Sequence, residues 1–170
     1  MKIAFSILLI IFSHYESHDL LDPITAADKE AIISTVNKLR AKGCYCGGEY
    51  QKPVGPVKWN ETLYKSAMAH AREMSKYDFF SHYSRSGKNI GQRLTQIGYP
   101  WKVVGENIAE GQYKFSQAME DWIDSETHCR MLMDKRVDEM AVARYKKFWV
   151  QHFGKQQPKT TKQSRRRARN

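Results

Sequence analysis

Three short stretches hold the side chains able to do chemistry: Ser81-His82-Tyr83-Ser84, Gly105-Glu106-Asn107 and Ser125-Glu126-Thr127-His128. His82 and His128 offer imidazoles, and Glu106 offers a carboxylate. Two His and one Glu form a set for zinc or another divalent metal with one position left open. A metal held there polarises a carbonyl or activates water. The competing reading is a hydrogen-bonded polar cluster that fixes loops without any metal. Ser125 and Glu126 stand beside His128 and join the candidate ligand-binding set. Asp124, Ser125 and His128 are also the residue types of a hydrolase triad, but nearness in sequence does not supply triad geometry. No complete catalytic constellation is written in the chain, so the residues alone leave open whether it is an enzyme.

The segments that must position these groups show different periods. Ile32, Ile33, Val36 and Leu39 repeat at helical spacing over 28–40, and Gly43 stops the pattern. Residues 44–57, rich in Gly and Pro, read as an ordered loop. Asn60 is a candidate N-cap for a second helix with Leu63, Ala67, His70, Ala71 and Met74 on its apolar face. His70 therefore reads as a core histidine. From Ser81 to Gly111 the chain reads as a long polar loop. It is broken by a short helix over 90–97 that Gly98 closes and Pro100 ends. Phe115, Ala118, Met119 and Trp122 mark another helix, and Ser125 is placed to cap the one carrying His128. Residues 140–145 and 148–153 read as two strands joined by Lys146-Lys147. His152 alternates there with Phe148 and Val150, and its role is open. Helices around a small sheet make a layered α+β domain.

Charge and termini narrow the setting. Seven of the 28 Lys and Arg lie in residues 155–170, against none of the 18 Asp and Glu, so the tail carries most of the +10 formal charge. Polar composition without aromatics predicts disorder beyond Gly154. Residues 1–17 look like a signal peptide, with Lys2 ahead of an apolar run from Ile3 to Phe12 that is too short for a bilayer span. A linker follows over 18–27, then one domain over 28–154. Export permits disulfides. Cys44 and Cys46 are too close in sequence to bridge comfortably, so the expectation is a bond from Cys129 to either Cys44 or Cys46, with the third cysteine free. The basic tail suits lipid head groups or an anionic cell-wall polymer. Export makes nucleic acid the weakest partner class.

The order of pieces resembles the CAP superfamily of cysteine-rich secretory proteins, antigen 5 and pathogenesis-related class 1 proteins, also called the SCP domain. The pieces are Val36-Asn37-x-x-Arg40, Trp59-Asn60-x-x-Leu63, Ala69-His70-Ala71, Phe80-Ser81-His82, Arg93, Gly98-Tyr99, Gly105-Glu106-Asn107-Ile108-Ala109-x-Gly111, Trp122-x-x-Ser125-x-x-His128 and Trp149-Val150-Gln151-x-Phe153-Gly154. The likeness is greatest to the bacterial secreted branch. It implies an α-β-α sandwich with a small antiparallel sheet covered by helices, and a surface cleft. In eukaryotic members two His and two Glu line that cleft and can hold a metal. Carried over by motif, His82 and Glu106 are half of that set. The second Glu's place is Ser125 and the second His's place is Phe148, so a tight metal site is not expected. The reading is a secreted, extracytoplasmic binding module for an unidentified ligand in a cleft around His82, Glu106 and His128. The alternative is a metal-assisted hydrolase or protease in the same cleft.

Overall fold

A computed structural model describes residues 24–158. The expected signal peptide over 1–17, most of the linker and the tail beyond Pro158 lie outside the described residues. Helix α1 (Ala26–Lys42) starts two residues before the predicted Asp28, because Thr25 caps it and Asp28 closes a capping box onto Thr25. Its last turn carries Arg40, only 1% exposed. The Arg40 guanidinium donates to the carbonyls of Gly55, Leu132 and Val137, tying α1 to two distant loops. The expected loop over 44–57 is in part a hairpin, β1 (Cys44–Cys46) with β2 (Glu49–Gln51). Strand β3 (Lys58–Trp59) then leads into α2 (Glu61–Tyr77), whose first N–H groups donate to the Asn60 side chain.

The main departure from the sequence reading lies in the middle of the chain. After α3 (Ile90–Gln96), residues expected to be loop form the long strand β4 (Trp101–Glu110). Helices α4 (Phe115–Asp124) and α5 (Glu126–Leu132) follow, then β5 (Glu139–Tyr145) and β6 (Phe148–Gln156). Ser125 stands at the N-cap of α5, yet its side chain does not cap the helix. Lys146 turns the β5–β6 hairpin with φ at +52°, a conformation Gly or Asn would take more readily. Strand β6 runs past Gly154 to Gln156, and Lys155 pairs with Asp138 at 2.9 Å, so the ordered domain reaches further than the expected boundary. Inter-strand bonding, which composition does not report, holds these polar residues.

The sheet has the order β3-β5-β6-β4. It is antiparallel except where the two-residue β3 runs parallel to β5, so it is mixed rather than wholly antiparallel. Side chains opposite one another across a ladder share a face. One face presents Ile108, Val150, Ala143 and Phe148 to Ala67, Ala71 and Met74 of α2. The other presents Met140, Val142, Trp149 and Phe153 to α1 and α4 through Ile32, Val36, Ala118, Met119 and Trp122. Each fully buried Leu or Met in these layers contributes roughly 1.5–3 kcal/mol. Helices on both faces of one sheet give the α-β-α sandwich. At Gly105 any Cβ would collide with Met131 Sδ of α5, so the absent side chain lets α5 close over that end of β4.

Candidate functional site

Glu106 lies on edge strand β4 directly opposite His152 of β6. Both point to the face covered by α2. Its carboxylate is 2% exposed and both oxygens are engaged. Oε1 accepts from His82 Nδ1 at 2.9 Å. Oε2 accepts from His152 Nε2 at 2.7 Å and from the Arg93 guanidinium. Burial pushes the Glu106 acid up, but the hydrogen bonds from His152 and His82, then the electrostatic pull of His152 and of the Arg93 guanidinium, outweigh it. They hold the carboxyl well below the usual carboxylate range. At neutral pH Glu106 is an anion compensated on both oxygens.

Each partner is fixed by a separate element. Arg93 comes from α3, and its Nη1 donates to the carbonyls of His82 at 2.7 Å and Lys88 at 3.1 Å. The same guanidinium therefore holds both Glu106 and the loop bearing His82. His70 of α2 is buried, and its Nε2 bonds the Ser81 carbonyl at 2.8 Å, which fixes the residue before His82. Burial and the nearby Arg93 charge push the His70 imidazole below its ordinary value, so it is neutral at pH 7. Of the four groups, His82 faces solvent most, with a side chain 51% exposed.

The structure brings together His82 and Glu106 of the expected set. The other contributors are Arg93 and His152. Among the described residues, no hydrogen bond or ion pair of Glu106 involves Ser125, Glu126 or His128. Helix α5 packs on the opposite face of the sheet, where Asn107 Nδ2 donates to the His128 carbonyl at 3.2 Å. The His128 ring is half-buried; burial, then the nearby His82 charge, lowers its basicity. Glu126 is exposed and pairs with Arg130 at 3.0 Å. The Ser125 hydroxyl lies 3.4 Å from that of Thr127. Phe148 is buried in the core against α2.

This arrangement does not fit a resident divalent cation. Arg93 already neutralises Glu106, and a metal there would stand beside a fixed guanidinium. Among the described residues, only Cys44, Cys46 and Cys129 bring three metal-ligand types within 4.8 Å of one another. Two of these are consumed in a disulfide between Cys46 and Cys129, with Cα atoms 5.4 Å apart. Cys44 stays free, its sulfur 3.6 Å from that of Cys129. Residues two apart on a strand point the same way, so Cys44 and Cys46 both face α5. Cys46 is the one fully buried.

Comparison with known proteins places this geometry. The model of a family described as "CAP: Cysteine-rich secretory protein family" matches residues 33–153. Among curated proteins, the chain is 29% identical over 100 residues to the uncharacterized protein YkwD of Bacillus subtilis, covering 58% of this chain and 39% of that protein. It is 24% identical over 130 residues to the uncharacterized membrane protein YlbC of the same organism, covering 76% of this chain and 35% of that one. The chain thus spans little more than a third of either relative. Among solved structures, an extracellular protein containing a SCP domain from Bacillus anthracis superposes with a TM-score of 0.66 at 23% identity, over 79% of this chain and 45% of that one. An outer surface protein from Borrelia burgdorferi superposes with a TM-score of 0.67 at 20% identity, over 79% of this chain and 98% of that one. Among the described residues no helix is long and apolar enough to cross a membrane.

Proposed function

The chain belongs to the cysteine-rich secretory protein family, CAP, and from that premise we propose that its domain is a binding module that works outside the cytoplasm. Its recognition site is the surface where the exposed His82 ring stands against the buried Glu106. One observation carries this reading: both oxygens of Glu106 are satisfied by His82, His152 and Arg93. A general base needs a free lone pair within reach of a substrate proton, and a metal ligand needs one within reach of the ion. Three donors take three of the roughly four lone-pair sites of the Glu106 carboxylate, and the fixed Arg93 guanidinium against it disfavours both roles. The role of Glu106 is to hold Arg93 and His82 in register, so that the exposed His82 ring edge meets the ligand.

Such a ring edge, flanked by peptide groups, suits polar ligands with hydrogen-bonding groups, such as cell-wall polymers and lipid head groups. The extracellular and outer-surface descriptions of structural neighbours agree with that setting. The discriminating experiment is elemental analysis of chain purified without a metal column, followed by calorimetric zinc titration of parent, His82→Ala and Glu106→Gln. The expected result is substoichiometric metal and no zinc binding that either variant abolishes. Stoichiometric zinc lost in both variants would turn the reading toward metal-assisted hydrolysis.

A further inference from the structure

A second pocket is lined by Arg93 and does not include Glu106. It measures about 360 Å³ and is bounded by α2, α3 and the turn over 84–88. Its lining includes Lys65 and Ser66 from α2, Ser84, Ser86 and Lys88 from the turn, and Arg93 from α3. Three cations from three elements converge there. Among the described residues, Lys65 and Lys88 have no carboxylate within 4.0 Å, unlike Lys29, Lys147 and Lys155. Glu73, the one acid on the lining, is engaged by its neighbours: Oε1 accepts from the Arg85 backbone N–H at 3.2 Å, and Oε2 lies 3.7 Å from His70 Nδ1. Arg93 has a side chain only 10% exposed, and its Nε is buried without a partner.

The turn is held by its own backbone bonds, which leaves its serine hydroxyls to face the pocket. The Ser84 backbone N–H donates to the Lys88 carbonyl, and the Gly87 N–H donates to the Ser84 carbonyl. Gly87 sits at φ +76°, which lets the chain fold back within these few residues. The Ser84 hydroxyl accepts from the Lys88 backbone N–H at 3.1 Å and shares one bond with Ser86 Oγ at 2.9 Å. Each hydroxyl has a single proton. Whichever of the pair donates, the other keeps its proton for a ligand. Ser66 is 5% exposed and lines the same pocket.

Unpaired cations around free hydroxyl donors are complementary to a group carrying several acceptor oxygens and up to two negative charges. We propose that this pocket is a second ligand site, separate from the Glu106 cleft, that takes a small soluble phosphomonoester. Lys65 and Lys88 supply charge, the serine hydroxyls supply directed bonds, and the volume is at the small end for a ligand site.

The test is titration of the full chain with sn-glycerol 3-phosphate, followed by calorimetry and by amide chemical shifts, with glycerol as the uncharged control. Saturable binding is expected, with the largest shifts at Ser66, Gly87 and Lys88, and none with glycerol. Lys65→Ala and Lys88→Ala should each weaken it at least tenfold at an unchanged melting temperature, and His82→Ala should leave it intact. Lys65→Gln keeps the stem and should lose as much as Lys65→Ala. Absence of saturable binding, shifts confined to the basic tail, or a Lys65→Ala/Lys88→Ala double variant that binds like the parent would overturn the site. Binding only to phosphatidic acid vesicles, and not to the soluble ester, would overturn the soluble-ligand assignment.

Discussion

Replacing Glu106 by Gln is the sharpest perturbation of the cleft. Gln keeps the shape but removes the charge and turns one acceptor into an N–H2 donor. Three donors converge on Glu106, from His82, His152 and Arg93. The variant therefore faces at least one donor with another donor, at a position whose parent side chain is 2% exposed. Removing one partner of a buried ion pair costs about 3–5 kcal/mol, because the remaining charge is left uncompensated. Arg93 keeps the carbonyls of His82 and Lys88, which places the expectation at the lower end of that range, about 3 kcal/mol. The assay is urea unfolding followed by fluorescence, comparing parent, Glu106→Gln, Arg93→Met and the double variant at one pH. In the double variant no charge is stranded, so the two losses should fall short of additivity by more than about 1 kcal/mol. A Glu106→Gln variant within about 0.5 kcal/mol of the parent, the scatter of an ordinary surface change, or strictly additive losses, would refute the compensated-anion account.

Three further outcomes are expected. Since the folded-state pKa of Glu106 lies below its ordinary value, its contribution is complete above the unfolded carboxylate pKa of roughly 4.3 and fades as pH falls toward the folded value. The stability gap between parent and Glu106→Gln should thus narrow from about pH 4 to about pH 2, and urea midpoints across that range check it. Peptide mapping under non-reducing conditions should recover Cys46 joined to Cys129. Cys129→Ser should cost about 2–4 kcal/mol in unfolding free energy, while Cys44→Ser should cost far less. Truncation after Pro158 should leave the melting temperature within a degree or two of the parent, because the removed residues carry no core-forming pattern. It should also weaken co-sedimentation with anionic vesicles, most clearly at low salt.

Much of the scaffold was legible in the chain because local physics writes it there. The helical spacing of Leu63, Ala67, His70, Ala71 and Met74 marked the face that is buried. The apolar runs over 140–145 and 148–153 marked the two central strands, and the motif order marked the family. His82 and Glu106 stood out as a pair by the same motifs. Strand β4 was misread as loop because its polar and glycine-rich residues, Lys102, Gly105, Glu106 and Asn107, lack an apolar run. Its strand character comes from pairing with β6, a non-local interaction.

That misreading hid the site. Only register sets Glu106 opposite His152, and only the packing of α3 against β4 brings Arg93 to the same carboxylate. The alternation of Phe148, Val150 and His152 was visible, but not which strand His152 would face. The motif put His128 close to the cleft; its backbone carbonyl accepts from Asn107, and its ring lies near enough to His82 for that group to lower its basicity. The choice of Cys46 over Cys44 was likewise undetermined, since both point toward α5 and burial separates them. Amphipathic segments, the approximate extent of most helices and the family likeness were readable from the chain, because propensity and periodicity act over a few neighbouring residues. Strand register, the face each residue occupies and the partners of Glu106 were decided only by tertiary structure, because a buried charge is compensated by whatever the fold brings within hydrogen-bonding distance.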